Sequence, residues 1–234
     1  MMIKCLLSID WDYFIYTRNR NFGSYIENRR TIIDLWYKRY IVSRKRGEDI
    51  TKAFSLSKDV DRFWEKIKKA FIFEKNIKVY VSDSHTLSYD IAADHGCNVV
   101  YLFDAHSDLG YGGLQSLDFE INCANWLGKL LKDGKIEKAY IIYSPFTLEN
   151  PSYFDYMNRL YDISYPKLEE LDRGINIPVI HICRSGAWSP PWYDEEFFKF
   201  INGLGLPYRM ADCPVRKWDT SNINLSNEIF YLMA

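Results

Sequence analysis

The sequence predicts an α/β fold: three layers, with a mostly parallel central sheet covered by helices on both faces. Two observations predict it. From residue 77 onward, short apolar runs of strand length alternate with segments of helical period, the pattern of a parallel sheet. Three of the apolar runs also close on a carboxylate or an imidazole at their C-terminal ends, where parallel α/β sheets bind ligands.

Taken in order, Ile3–Ile9 reads as a buried strand. Thr31–Tyr40 places Ile32, Ile33, Leu35, Trp36 and Tyr40 at roughly helical spacing, and the polar run Arg44–Asp49 breaks that helix. The basic cluster in that run reads as a solvated turn. Val60–Phe71 is an amphipathic helix with Ser57 or Asp59 near its start. Ile77–Val81 is a strand, and Leu87–His95 is a helix stopped by Gly96. Asn98–Phe103 is a strand, followed by a loop with Gly110, Gly112 and Gly113. Ile121–Lys132 is a helix ended by Asp133-Gly134, and Ala139–Tyr143 is a strand stopped by Ser144-Pro145. Pro151–Leu160 is helical and Ile177–Cys183 is a strand. Ser189-Pro190-Pro191 starts a helix, with serine at the cap and proline in the first turn, that runs to Asn202-Gly203. Residues 206–234 show no clear period. There is no internal repeat, and the chain reads as a single domain over residues 1–234.

Composition narrows the classes. Net charge is −1, which favours neither a nucleic-acid binder nor a membrane-surface protein. The N-terminal apolar run is too short for a membrane span and lacks a signal-peptide cleavage region. The five cysteines form no CxxC pair and mostly lie in apolar contexts, so they read as reduced core residues of a cytoplasmic protein. Aromatic residues make up 17% of the chain, enough for a large aromatic core or for a surface that grips a peptide or sugar.

The chemistry concentrates at Asp104-Ala105-His106-Ser107-Asp108, directly after a buried strand. Spacing two puts alternate side chains on one side of an extended segment, so Asp104, His106 and Asp108 can converge. Converging charges are costly without a counter-charge, and a divalent cation supplies one. Asp10 and Asp12 repeat the pattern at the end of the first strand, and His85 closes Val79–His85. Carboxylates with two imidazoles, and no cysteine in the motifs, suit Mn²⁺ better than a thiolate-preferring metal.

These motifs resemble those of the arginase/agmatinase (ureohydrolase) superfamily. Asp104–Asp108 matches its Asp-Ala-His-x-Asp signature, Ser8-Ile9-Asp10-Trp11-Asp12 looks like its Ser-Ile-Asp-x-Asp signature, and Ser82-Asp83-Ser84-His85 resembles its Gly-Gly-Asp-His-Ser segment. The resemblance implies an arginase-like fold with two Mn²⁺ per chain. One ion would be held by His85, Asp104, Asp108 and Asp10, the other by His106, Asp104, Asp10 and Asp12, with Asp104 and Asp10 bridging. Two such ions would acidify a water to make hydroxide at neutral pH. Asp108 would orient that nucleophile and pass its proton to the leaving amine. Urea and ornithine would result.

The order of the motifs departs from the family, because the Asp-x-Asp strand comes first here instead of late. Such a strand can still slot into the middle of a parallel sheet beside the strand ending at Asp104. The early acidic strand and the short chain resemble a divergent branch that includes peptide arginases. Leu109-Gly110-Tyr111-Gly112-Gly113 carries none of the polar side chains that hold the amino-acid end of free arginine in the family. An arginine-containing peptide is therefore the expected partner ahead of a small guanidino compound, and a homo-oligomer is compatible with the family. Asn122 stands nearest the family's His-Gly position, and Asp194, Glu195 and Glu196 are the guanidinium-binding candidates, although acids in a first helical turn also serve the macrodipole. His181, mid-strand, and His95, at a helix end, read as structural. Ser185–Trp192 either lines the pocket mouth or makes a rigid turn. Two other functions fit part of the pattern: a deacetylase-like amidohydrolase with a single zinc, and a non-catalytic metal-stabilised peptide-binding module.

Overall fold

Every residue of the first strand is buried, and the strand lies between two others that run parallel to it. The structure, a computed structural model, describes residues 3–17 and 32–233. Its strands are β1 (Cys5–Asp10), β2 (Ile15–Thr17), β3 (Phe54–Leu56), β4 (Phe71–Ser82), β5 (Val99–Asp104), β6 (Lys138–Tyr143), β7 (Asp162–Ser164), β8 (Ile175–Cys183) and β9 (Arg209–Asp212). Its helices are α1 (Ile32–Lys45), α2 (Phe63–Ala70), α3 (Leu87–Asp94), α4 (Trp126–Lys132), α5 (Asp155–Asn158), α6 (Asp194–Gly203) and α7 (Leu225–Leu232). Seven strands pair in the order β7-β6-β5-β1-β8-β4-β9, all parallel, and β2 and β3 form a separate antiparallel pair. The fold is therefore α/β with a mostly parallel sheet between helical layers. Among the described residues no helix is long and apolar enough to cross a membrane.

Two apolar clusters occupy the two faces, because successive strand residues alternate in direction. Leu7, Ile9, Tyr101 and Phe103 pack with α2 and α6 on one face; Leu6, Val100 and Leu102 pack with α3 and α4 on the other. Burial of both strand faces explains why β1 and β5 read as continuous apolar runs. The aromatic content goes largely inward: Trp11, Trp36 and Trp126 are among the largest fully buried side chains. The placement of β1 beside β5 aligns Ile9 with Phe103, so both acidic motifs leave the sheet at the same level. On the other side Asp10 aligns with Cys183.

Several segments differ from the sequence reading. The expected helix from Ile121 begins at Trp126, because Asn122 and Asn125 divert the backbone: Asn125 Oδ1 accepts from the Asn122 N–H at 2.8 Å and Asn122 Oδ1 from the Ala124 N–H at 2.9 Å. The expected helix from Val60 begins as a 3-10 segment, Lys58–Arg62, capped by Ser57, and ends at Ala70, where β4 starts. Pro151–Leu160 is a 3-10 segment leading into the short α5. α1 runs on through Arg44 and Lys45; the first residue of its expected span, Thr31, lies outside the described residues. Ser189 is not the cap of α6: its hydroxyl donates back to the carbonyls of Arg184 and Ser185. β9 and α7 fall within residues 206–234, where the sequence shows no clear period, and β7 is a three-residue strand that the sequence reading does not assign. β9 is a short, mostly exposed edge strand, and α7 has no buried residue.

Candidate metal centre

The ends of β1 and β5 and the segment after β4 bring the six expected ligands together in two adjoining lobes. In the first, His85 Nδ1 lies 3.1 Å from Asp10 Oδ2, 3.1 Å from Asp104 Oδ2 and 3.1 Å from Asp108 Oδ2. In the second, His106 Nδ1 lies 3.0 Å from Asp12 Oδ2 and 3.5 Å from Asp104 Oδ1. Asp104 therefore serves both lobes, one oxygen to each. Cys183, at the end of β8, joins Asp10 and His85 within ligand reach of one another.

Most of the carboxylates are held by a backbone N–H on one oxygen and turn the other inward. Asp10 Oδ1 accepts from the Asp12 N–H at 2.9 Å, capping the 3-10 turn Trp11–Phe14. Asp12 Oδ1 accepts from the Ala105 N–H at 3.2 Å, and Asp104 Oδ1 from the His106 N–H at 2.8 Å. Asp108 has φ 52 and takes the Trp126 indole N–H at 2.6 Å on Oδ2. Ser185, also at positive φ, donates to Asp10 Oδ2. Such outer contacts fix the orientation of metal ligands before the ion arrives.

The electrostatics ask for a cation. Burial and the neighbouring Asp12 push the Asp10 carboxyl up to about 6. Burial, then Asp12, Asp108 and Asp10, push Asp104 well above the carboxylate range. Burial opposes charge on His85, yet Asp10, Asp104 and Asp108 hold its imidazole well above the usual value. Burial likewise opposes charge on His106, and Asp12 and Asp104 raise it well above the usual value. Burial alone would raise Asp12, but His106 beside it holds it low. Protons are thus retained where charge is missing.

The fit to a metal rests on two buried atoms, His85 Nδ1 and Asp104 Oδ2, that make no hydrogen bond. Unpaired buried polar atoms are rare and call for an explanation. An ion bound octahedrally about 2.1 Å from each of its ligands holds neighbouring ligands about 3 Å apart, the spacing around His85 Nδ1. These buried Asp and His groups can hold a metal ion.

Two adjoining cavities, of about 340 Å³ and about 500 Å³, open on the lobes and share His106, Leu148, Glu149 and Trp188. The His85 side chain is 1% exposed, whereas His106 is 36% exposed. His106 is the more open of the two imidazoles, and Asp10, His85 and Asp108 of the first lobe also line the larger cavity.

The expected substrate residues lie elsewhere. Asp194 is taken by Arg184, at 3.1 Å, and by Arg216, and it lines neither cavity. Glu195 is exposed and pairs with Lys199 at 2.7 Å, one turn along α6. Asn122 is exposed and shapes its own turn, while its neighbours Cys123 and Ala124 line the larger cavity. The acid that does line both cavities is Glu149, in the segment after β6. Its Oε2 accepts from the Ser107 N–H at 2.9 Å and the Tyr143 hydroxyl at 3.3 Å, and its Oε1 accepts from the Tyr111 hydroxyl. Burial raises its pKa, against the pull of His106. Glu149 lies six residues past the end of β6, in a segment whose only sequence signal is that it follows a strand end. Ser185 and Trp188 line the larger cavity, so the 185–192 segment is both a tight turn and part of the wall. Comparison with protein-family models, with curated proteins and with solved structures gives no match.

Proposed function

We propose that this chain is a metal-dependent hydrolase that cleaves the guanidinium group of arginine side chains, preferably within a peptide, to ornithine and urea. The observation that carries the reading is the double cage: six Asp and His ligands in two lobes sharing Asp104, opening on an acidic and aromatic cavity. A pair of Mn²⁺ ions, held by His85, Asp10, Asp104 and Asp108 and by His106, Asp12 and Asp104, would supply a hydroxide nucleophile from water at neutral pH.

The chain's own residues account for the other needs. Glu149 is the carboxylate best placed to receive a planar cation, with the Trp188 ring on the same wall; an indole face attracts a cation. Tyr111, Tyr143 and the Ser107 N–H hold Glu149 rigidly, which favours one substrate orientation. Asp108, fixed by Trp126, borders the same cavity and would carry the proton from water to the leaving amine. Water oxygen bonds to the guanidinium carbon, the bond from that carbon to the side-chain nitrogen breaks, and the nitrogen leaves as a protonated amine. Among the described residues that line the larger cavity there is no lysine or arginine to take the carboxylate of free arginine, and Arg39 lines the adjoining cavity instead; this supports a peptide substrate.

Urea release by Mn²⁺-loaded protein, from free arginine, agmatine and an arginine-containing peptide side by side, tests this. Urea from the peptide alone is expected. No urea from any of them, with metal bound, overturns it.

One observation favours a second reading. Cys183 stands with Asp10 and His85, and a thiolate suits zinc better than manganese. A single zinc in that lobe, with amide hydrolysis as the chemistry, predicts one zinc per purified chain and no urea.

A further inference from the structure

From His85, which lines the larger cavity, a line of buried polar groups runs back into the interior, and none of its other members lines either cavity. His85 Nε2 is 2.8 Å from Ser8 Oγ; Ser8 Oγ is 2.9 Å from Ser88 Oγ; Ser88 Oγ is 2.6 Å from His181 Nδ1; and His181 Nε2 is 2.8 Å from Ser82 Oγ. The line ends where the Ser82 hydroxyl donates to the Ser84 carbonyl at 2.7 Å. Ser8, Ser88 and His181 are 0% exposed and Ser82 and His85 1%, so these groups must satisfy one another. The sheet register builds the line: Ser8 of β1 pairs with His181 of β8, and α3 lays Ser88 across them.

A carbonyl can only accept, and a serine hydroxyl has a single proton to give. Those two facts set the direction of every bond. Ser82 gives its proton to the Ser84 carbonyl, so Ser82 Oγ accepts and His181 Nε2 carries the N–H. A neutral imidazole then has Nδ1 as an acceptor, and Ser88 donates to it. Ser88 Oγ in turn accepts from Ser8, and Ser8 Oγ accepts from His85 Nε2–H. The last bond leaves Nδ1 as the ring nitrogen that faces Asp10, Asp104 and Asp108. Reversing the line would require a proton on both nitrogens of His181, a charge at zero exposure with two hydroxyls as its hydrogen-bond partners, which is costly.

We propose that His181, through Ser88 and Ser8, presets His85 as a metal ligand by holding Nε2 as the N–H and presenting the Nδ1 lone pair to the carboxylates. His181 is then a positioning residue, two hydroxyls removed from the ligand it controls. The proposal rests on the metal reading of the His85 lobe and not on the identity of the reaction.

Two measurements test it. The first needs no variant: ring ¹⁵N NMR of histidine-labelled protein loaded with Zn²⁺ as a diamagnetic probe, made tractable by a total of four histidines. His181 is expected as the neutral form protonated on Nε2 and bare on Nδ1; a proton on His181 Nδ1 overturns the proposal. The second is the Mn²⁺ dissociation constant of Ser88→Ala and Ser82→Ala, measured by competition with a chelating dye, beside their melting temperatures. Interrupting the line should weaken Mn²⁺ binding at least about tenfold, the usual effect of removing an outer contact to a ligand. Lower melting temperatures with unchanged Mn²⁺ affinity would mean that the line only packs the interior, and would overturn the proposal. Wild-type protein that takes up no Mn²⁺ or Zn²⁺ overturns the metal centre itself, whatever the urea assay shows.

Discussion

His85 Nδ1 and Asp104 Oδ2 stand 3.1 Å apart at the C-terminal edge of the sheet, both buried and neither in a hydrogen bond. Such a pair is rare in a protein interior, and these groups can hold a metal ion. Asp104 also turns its other oxygen to His106, at 3.5 Å, so one carboxylate joins the two lobes.

That sharing sets unequal consequences for two similar substitutions. Asp104→Asn should strip metal from both lobes, because each loses an anionic ligand. Asp12→Asn should weaken only the lobe of His106, since Asp12 faces that imidazole. Metal content per chain after dialysis against about 1 µM free Mn²⁺, a level suited to sites of ordinary affinity, separates the cases. Near zero is expected for Asp104→Asn and about half of the wild-type content for Asp12→Asn. Equal losses in the two variants would show that the lobes do not fill independently.

Metal-free and metal-loaded protein should respond to pH in opposite directions. In the folded chain His85 and His106 are held above their ordinary 6.5. Their contribution to stability is full below that value and is lost as pH rises through the raised ones. Asp10, raised to about 6, and Asp104 act in the same sense, because the folded state holds their protons longer than the unfolded chain does. Asp12, held low, works the other way. The balance predicts a melting temperature in a chelator that falls from about pH 5 to about pH 8. Metal displaces those same protons, so with excess Mn²⁺ the melting temperature should rise over that interval. Parallel trends with and without metal would count against a shared site.

The convergence of the six candidate ligands was legible because each sits at a strand end with a period-two partner or a strand before it. Five of the seven strands of the sheet are legible as buried apolar runs, whereas β7 and β9 are not, because edge strands are short and half-solvated. The guanidinium-binding candidates failed for a different reason. Asp194 looked available in a first helical turn, but Arg184 and Arg216 lie far along the chain and only the fold brings them to it. Glu149 stood in a segment with no motif, and its value comes from Tyr111, Tyr143 and Ser107 converging on it. Cys183 looked like a core thiol, and it is one, yet the register of β1 with β8 sets it beside Asp10.

Glu149→Gln separates substrate capture from metal binding. The amide keeps the size and most of the hydrogen bonds but removes the charge that would face a guanidinium. Metal content should stay at the wild-type level, and kcat/KM for an arginine peptide should fall by about 10²-fold, as expected for loss of a charged hydrogen bond of about 3 kcal/mol. Steady-state urea release and metal analysis on the same preparation check both. A large loss of metal would instead place Glu149 among the ligands, and an unchanged kcat/KM would remove it from the substrate site.

The turn after β8 should be intolerant of a single methyl group. A Cβ on Gly186 would lie 2.5 Å from Asp83 Oδ1 and 2.9 Å from Asp83 Cγ. Asp83 cannot retreat, because Arg184 grips it through Nε at 2.8 Å and Nη2 at 2.9 Å. Arg184 is itself 0% exposed and also bonds the Pro214 carbonyl. The turn cannot retreat either, since the Gly186 carbonyl accepts from Trp36 Nε1 at 2.7 Å and from Arg216 Nη1 at 2.8 Å. Gly186→Ala must therefore open the buried pair, and breaking such a pair costs about 3–5 kcal/mol. Ser185, which holds Asp10, would move with the turn, so Mn²⁺ affinity should fall together with the melting temperature. Gly203→Ala is the contrast. Its nearest non-local atom is Trp64 Cδ1 at 3.5 Å, and an alanine in a helix is about 0.5–1 kcal/mol better than glycine, so that variant should be neutral or more stable. Denaturant titration and Mn²⁺ binding on the two variants decide the point: equal behaviour would show that the Asp83–Arg184 pair does not brace the metal centre.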